Sequence, residues 1–333
     1  AAAGLAVVSI AVAAYAGFWT GVDRNWTTPV FALSSAVLLI ANLRIRRAAL
    51  AWAASGFVLV ALIHGLVWNT VVIENLTTLG IMPTRPWLAA CLLHATFGCA
   101  TALGVWRREH PLAGGEDSPG EGLWHGFAKP LGISALVTSA IVVPRILWVS
   151  PETLAPHAGY AFWATAVWLG LAYLWQSRWG FAAAQALATI ALGFIVTSIC
   201  RRSDWWAGSY LDPWHLQAQM AAMAVWGMLW AAVRWSLRKS PRWSVMWTDS
   251  WTTVDRVVLG VSSVASVIMV TAACVPGLDA ELRRIPSAAN AVGIHPILIG
   301  STIAFTVGLV VAASLALIPK RRIALFSGMS VLT

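Results

Sequence analysis

From Ala48 to Asn69 the chain carries no Asp, Glu, Lys or Arg. The same holds from Trp87 to Trp106, from Ala158 to Trp175, from Gly180 to Cys200 and from Val257 to Val275. A helix of about 20 such residues crosses the roughly 30 Å of hydrocarbon in a bilayer. Backbone N–H and C=O groups find no water there, so the runs must bond internally as helices. Over the whole chain only 11% of the 333 residues are charged, against roughly 25% in soluble domains. That is too little charge to cover a water-facing surface. It excludes a soluble globular enzyme, a disordered chain and a secreted disulfide scaffold. The expected fold class is all-α, a polytopic integral membrane protein.

Ten runs are long enough to count, at about 1–20, 28–43, 48–69, 87–106, 130–149, 158–175, 180–200, 214–237, 257–275 and 293–318. An eleventh begins near 323. Ala1 already lies in an apolar run with no basic segment before it, so no signal peptide is expected and the chain reads as an interior stretch of something longer. Cys91, Cys99, Cys200 and Cys274 fall in or at the ends of these runs and form no Cys-x-x-Cys pair. They read as small buried thiols, not as a metal or redox motif.

The linkers repeat a pattern. Tight junctions occur at Asn42–Arg47, Gln176–Trp179 and Pro319–Arg322, and Pro86-Trp87 and Pro213-Trp214 each open a helix. Pro suits a first helical position because its missing N–H would be unpaired there anyway. The spacing predicts parallel four-helix repeats of about 130–140 residues, resembling stacked solenoid units. The expected organisation is a first unit at 1–106, a Gly- and acid-rich flexible loop at 107–129 and a second unit at 130–237. An amphipathic interfacial segment at 238–256 and a partial third unit at 257–333 follow.

Four crossings per unit sort the loops onto two faces. One face collects 15 basic residues, among them Arg44, Arg46, Arg47, Arg107, Arg108, Lys129, Arg178 and Lys320 to Arg322. The other collects seven: Arg24, Arg85, Arg145, Arg201, Arg202, Arg283 and Arg284. Lys and Arg gather on the cytoplasmic side, so the first face is expected in the cytoplasm, with a bacterial inner membrane as the setting. The net charge of +9 then marks membrane orientation and not a nucleic-acid partner. Most of the 21 tryptophans fall at helix ends, where indoles settle at headgroup depth. Trp168 and Trp226 fall near helix centres and are expected to pack between helices. Trp243, Trp247 and Trp251 recur every four residues beside Arg242 and Arg256, the pattern of a helix lying on the membrane surface.

Chemistry is sparse. No Asp, Glu or Lys lies within a helix core, whereas proton pumps and ion-coupled carriers keep ionisable groups at depth. His64 and His94 are the nearest exception. Both are expected five to seven residues from one face on consecutive helices, where paired imidazoles could ligate a b-type haem. Hydrogen-bonded packing of two polar groups reads the same residues without a cofactor. His157, His215 and His295 sit near helix starts. No P-loop, dinucleotide, His-Glu-x-x-His or nucleophile-elbow motif occurs, and no metal-ligand or catalytic set is assigned.

The expected function is a structural or anchoring subunit of a larger membrane assembly, in contact with lipid and other membrane subunits. Helices rich in Ala, Gly and Ser suit such close packing. The first alternative is a transporter or channel for an uncharged or lipidic substrate, lined by Gln185, Gln217, Gln219 or Asn69. The others are a b-haem protein and a polyprenyl-linked glycosyltransferase using Asp23, Glu74, Asp204 or Asp212. Orientation is directly testable. Single cysteines replacing Arg46, Arg178 and Arg321 should all react with a membrane-impermeant thiol reagent from the same side, and labelling from opposite sides would break the four-helix scheme.

Overall fold

The computed structural model describes residues 24–109 and 121–203, with separate positions between 206 and 233. The expected helices at 1–20, 257–275 and 293–318, the Trp243, Trp247 and Trp251 segment, and the partial third unit lie outside the described residues. Every regular element among the described residues is helical. Those of nine residues or more are α1 (Thr27–Ile45), α2 (Ala48–Val67), α3 (Thr70–Thr78), α4 (Pro86–Glu109), α5 (Lys129–Leu147), α6 (Leu154–Trp175) and α7 (Arg178–Cys200). Five helical runs are long and apolar enough to cross a membrane: Thr27–Ile45, Ala48–Val67, Pro86–Arg108, Trp124–Leu147 and Arg178–Cys200. Helix α6 has 22 residues, and its Trp, Tyr, His and Pro residues lower its hydropathy below that of the five.

The chain divides into two compact units. The described residues up to Trp148 form one together with Ala166–Trp175, and Val149–Thr165 with the described residues from Gln176 form the other. Helix α6 contributes its first half to the second unit and its second half to the first.

In the first unit the usual arrangement of a surface helix is reversed. Helix α1 buries Thr27, Phe31, Ser35 and Asn42, and it exposes Val30, Leu33, Val37 and Ile40, the second and fourth each at 67%. Both sets recur at steps of three and four, the signature of two helix faces. In water the apolar set would turn inward. Here the outward face matches hydrocarbon, and the inward face carries hydroxyl and amide groups that bond to the next helix. Ser35 Oγ donates to the Ala54 carbonyl on α2 at 2.9 Å.

Small residues bring the helices together. Ala51, Ala54, Ala95, Ala102 and Ala135 are buried. A Cβ on Gly98 of α4 would lie 2.7 Å from the Leu131 carbonyl oxygen of α5. One on Gly170 would lie 2.7 Å from Cys99 Sγ. Helix α4 is therefore central, with 50% of its apolar window buried against 17% for α1. Helices α4 and α5 belong to the same unit. The close approach at Gly98 is the physical reason.

Two tight junctions share a backbone device. Arg46 (φ 56°) and Gln176 (φ 50°) are the non-glycine residues with positive φ among the described residues, and each sits between two helices. The left-handed region costs an L-residue about 1–2 kcal/mol. At Arg46 the fully buried Asn42 offsets that cost. Its carbonyl accepts the Arg46 N–H at 2.8 Å, its Oδ1 accepts the Arg47 N–H at 2.7 Å, and its Nδ2 donates to the Gly126 carbonyl at 2.9 Å. At the second junction Ser177 Oγ accepts the Gly180 N–H at 3.1 Å and caps α7.

Helix α4 runs on to Glu109, and Glu121–Leu123 is helical and continues through a π-helical turn at Trp124–Ala128 into α5. A side chain at Gly126 would collide with the Arg46 carbonyl. The missing Cβ lets this turn lie directly on the α1–α2 junction, which holds in helical form a stretch whose glycines read as flexible. At the opposite end the loop after α2 holds the short helix α3, capped by Asn69 Oδ1, which accepts the Val72 N–H at 3.1 Å. Asn is among the preferred N-caps.

In the second unit, Trp226 packs edge-on against Phe162 and Trp230, and Trp230 against Phe181. The centrally placed tryptophans do bond to neighbouring helices. Trp226 Nε1 donates to Thr189 Oγ1 at 3.1 Å, and in the first unit Trp168 Nε1 donates to Ser139 Oγ at 2.9 Å.

The glycine contacts give a paired prediction. Gly126→Ala should destabilise the detergent-solubilised protein by about 1–3 kcal/mol through overpacking against backbone. Gly104→Ala, whose Cβ meets nothing within 4 Å, should be neutral or stabilising by up to about 1 kcal/mol. Unfolding curves of the two variants check the contrast.

Candidate functional site

Four imidazoles are buried among the described residues, His64, His94, His157 and His215. Three of them, His64, His94 and His215, each join a set of hydrogen bonds between helices.

The first set closes one end of the first unit. Asn69 is anchored on both sides of its amide: Oδ1 accepts from Val72 N–H, and Nδ2 donates to the Asn25 carbonyl at 3.0 Å. Its remaining N–H reaches Thr28 Oγ1 at 3.1 Å. Thr28 Oγ1 also lies 2.9 Å from His64 Nδ1, a bond in which the hydroxyl can either donate or accept. The ring also stacks on Trp68.

The second set lies within the first unit among α2, α4 and α5. His94 Nε2 is 2.8 Å from Ser55 Oγ and 3.1 Å from the Ser55 carbonyl. His94 Nδ1 is 3.0 Å from Thr138 Oγ1, which itself donates to the Ser134 carbonyl at 2.9 Å. Ser134 Oγ hydrogen-bonds Ser55 Oγ. All four residues are buried. Thr138 can accept from Nδ1–H while donating onward, and Ser55 offers both a hydroxyl and a carbonyl to Nε2. With Thr138 donating to Ser134, the Nδ1–H tautomer finds partners for both nitrogens, Nε2 accepting from the Ser55 hydroxyl.

The third set belongs to the second unit. Gln219 Nε2 donates to the Gly193 carbonyl at 3.0 Å and to Thr197 Oγ1 at 2.8 Å. Thr197 Oγ1 is 3.0 Å from His215 Nε2. Gln219 Nε2 also lies 3.2 Å from His215 Nε2, so an amide, a threonine hydroxyl and an imidazole again form one set. Trp206 lies edge-on to this ring, as Trp68 stacks on His64. Different helices supply the parts, however. The histidine of the first set and the threonine of the third sit near the ends of α2 and α7 respectively.

These positions refine what sequence indicated. His64 and His94 are both buried, but they do not lie at similar depth. Ser55, which holds His94, precedes His64 by nine residues in α2, about 13 Å along a helix axis. A haem iron at His94 would first have to displace a hydroxyl or the Ser55 carbonyl from the ring. Asn69 and Gln219 are committed to the bonds above, and Gln185 is buried in α7. Glu74 is exposed on α3. Gln217, Asp23, Asp204 and Asp212 lie outside the described residues. Among the described residues no group of three or more His, Cys, Asp or Glu side chains gathers to hold a metal. Sequence reasoning missed Ser55, Thr138, Thr28 and Thr197. Ser and Thr are frequent in apolar helices, and only packing distinguishes the bonded ones.

No protein family, curated protein or solved structure matches the chain.

Interhelical hydrogen bonds of this kind average about 0.6 kcal/mol in membranes, with a maximum near 1.7. A double-mutant cycle with Thr28→Val and His64→Leu, read by unfolding in mixed micelles, should give a coupling in that range. His94→Ala should cost more, about 2–4 kcal/mol, because it strands buried hydroxyls on two other helices.

Proposed function

We propose that the chain is a structural or anchoring subunit of a larger integral-membrane assembly. One observation carries this reading. The buried polar side chains of the described residues are hydroxyls, amides and imidazoles, with no Asp, Glu, Lys or Arg among them, and the bonds traced above join helix to helix. Such groups fix helix positions. Charged groups at depth, which bind coupling ions and protons, would point to transport instead. The broad apolar faces of α1 and its neighbours suit lipid and the transmembrane helices of other subunits.

The same proposal takes the chain as about ten spans in repeated four-helix units. The positive-φ residues Arg46 and Gln176 support it, because they mark two junctions that the spacing pairs. The bacterial inner membrane, with the Arg46 and Arg178 junctions facing the cytoplasm, follows from the 15-to-7 division of basic residues.

Purification in mild detergent after in-cell crosslinking tests the role. The expected result is a fixed set of partner subunits at constant stoichiometry, lost on harsher solubilisation. A lone chain carrying a stoichiometric sugar or lipidic substrate would overturn it in favour of a transporter or glycosyltransferase.

A further inference from the structure

We propose that the end of the first unit at the α1–α2 junction is a binding site for the headgroup of an anionic phospholipid, with its acyl chain laid along α1. Arg44, Arg46 and Arg47 are exposed within four residues of one another. Helix α4 ends in exposed Arg107 and Arg108, and Lys129 opens α5, also exposed. The π-helical turn Trp124–Ala128 packs against α1, α2, α4 and α5, so these three sources of charge surround one element. Arg46 lies across the start of that segment, with its Nη1 3.6 Å from a Cβ position on Gly122.

This cluster is built, not merely accumulated. Buried Asn42 holds Arg46 and Arg47 by their backbone N–H groups and ties the turn to Gly126. Arg46 is kept in the left-handed region, where a residue free to choose would seldom sit. Like charges carried on one anchored turn repel, and an anion placed between them relieves that repulsion. Guanidinium forks match phosphate oxygens in pairs.

The occupant is amphiphilic because the site is. Leu33, Val37 and Ile40 are exposed on α1, and Arg44 continues the same line of positions, at steps of four, three and four. One helix face therefore runs from hydrocarbon-compatible side chains directly to a cation. A lipid with a net negative headgroup satisfies both halves, whereas a soluble anion satisfies only the charge. The acids Glu109, Glu116, Asp117 and Glu121, near these cations in the sequence, offer a competing counter-charge.

The test uses delipidated full-length protein in nonionic detergent, titrated with short-chain phosphatidylglycerol and followed by thermal unfolding. Phosphatidylglycerol should raise the unfolding temperature, while phosphatidylcholine of equal chain length and inorganic phosphate should leave it unchanged. Replacing Arg44, Arg46 and Arg47 together by Gln should weaken the apparent affinity about tenfold or more. An Arg107→Gln, Arg108→Gln pair, which leaves the Asn42 turn intact, should weaken it in the same direction. Exposed Arg202 belongs to the other unit, and Arg202→Gln should change nothing. Equal stabilisation by phosphatidylcholine, or by inorganic phosphate, would overturn the proposal. So would an unaltered response in both arginine variants. A response that appears only after Glu116, Asp117 and Glu121 are neutralised would assign the site to the chain's own acidic segment and overturn it as well. These readouts are independent of any partner subunit, so they stand or fall separately from the anchoring role.

Discussion

The first unit is held together by hydrogen bonds that pass from helix to helix through hydroxyls, amides and imidazoles. Apolar side chains gain little by leaving lipid for one another, so a membrane bundle needs close packing and polar contacts instead. Ser35 bonded to the Ala54 carbonyl, His94 held between α2 and α5, and Trp168 donating to Ser139 all follow from that constraint. So does the reversed face of α1, with Ser35 and Asn42 inside and Leu33 and Ile40 outside. The small residues serve the same end. Without Gly98 the α5 backbone could not approach α4 closely enough for Ser134 and Thr138 to enclose His94.

Polar contacts also set the two ends of the first unit. At one end Asn42 joins the α1–α2 junction to the turn before α5. At the other, Asn69 joins the end of α2 to Asn25 and Thr28. Each asparagine caps or closes a turn with its carbonyl oxygen and reaches a second segment with its amide. A single residue type thereby stops one element and positions another. The sets around His64 and His215 share their parts, an amide, a threonine hydroxyl and an imidazole, whereas the His94 set is built from hydroxyls and backbone carbonyls.

Much of the candidate site was visible as residue types and little of it as geometry. His64 and His94 stand out because an imidazole in an apolar run is rare and must find partners. Their partners do not stand out, since Ser55 and Thr138 look like the other small polar residues of these helices. Nor does a count of residues show that His94 meets α2 at Ser55, nine residues before His64. The stretch from Glu121 was hidden in another way. Its glycines signal flexibility to any local reading, yet Gly126 is required by a contact with Arg46, eighty residues away in the chain.

Hydrophobic length and charge distribution along the sequence determine that this protein is helical, that several helices can cross a bilayer, and nearly where each begins and ends. Those properties are local. Hydrocarbon leaves a single chain segment no alternative to the helix, and charged junctions cannot remain inside it. Tertiary structure alone decided that α4 packs with α5, that Arg46 and Gln176 turn left-handed, and which hydroxyl meets which imidazole. Each depends on the register between two helices. Register is set by the meeting of surfaces far apart in the chain, through missing Cβ atoms and paired donors that have no periodic trace in the sequence.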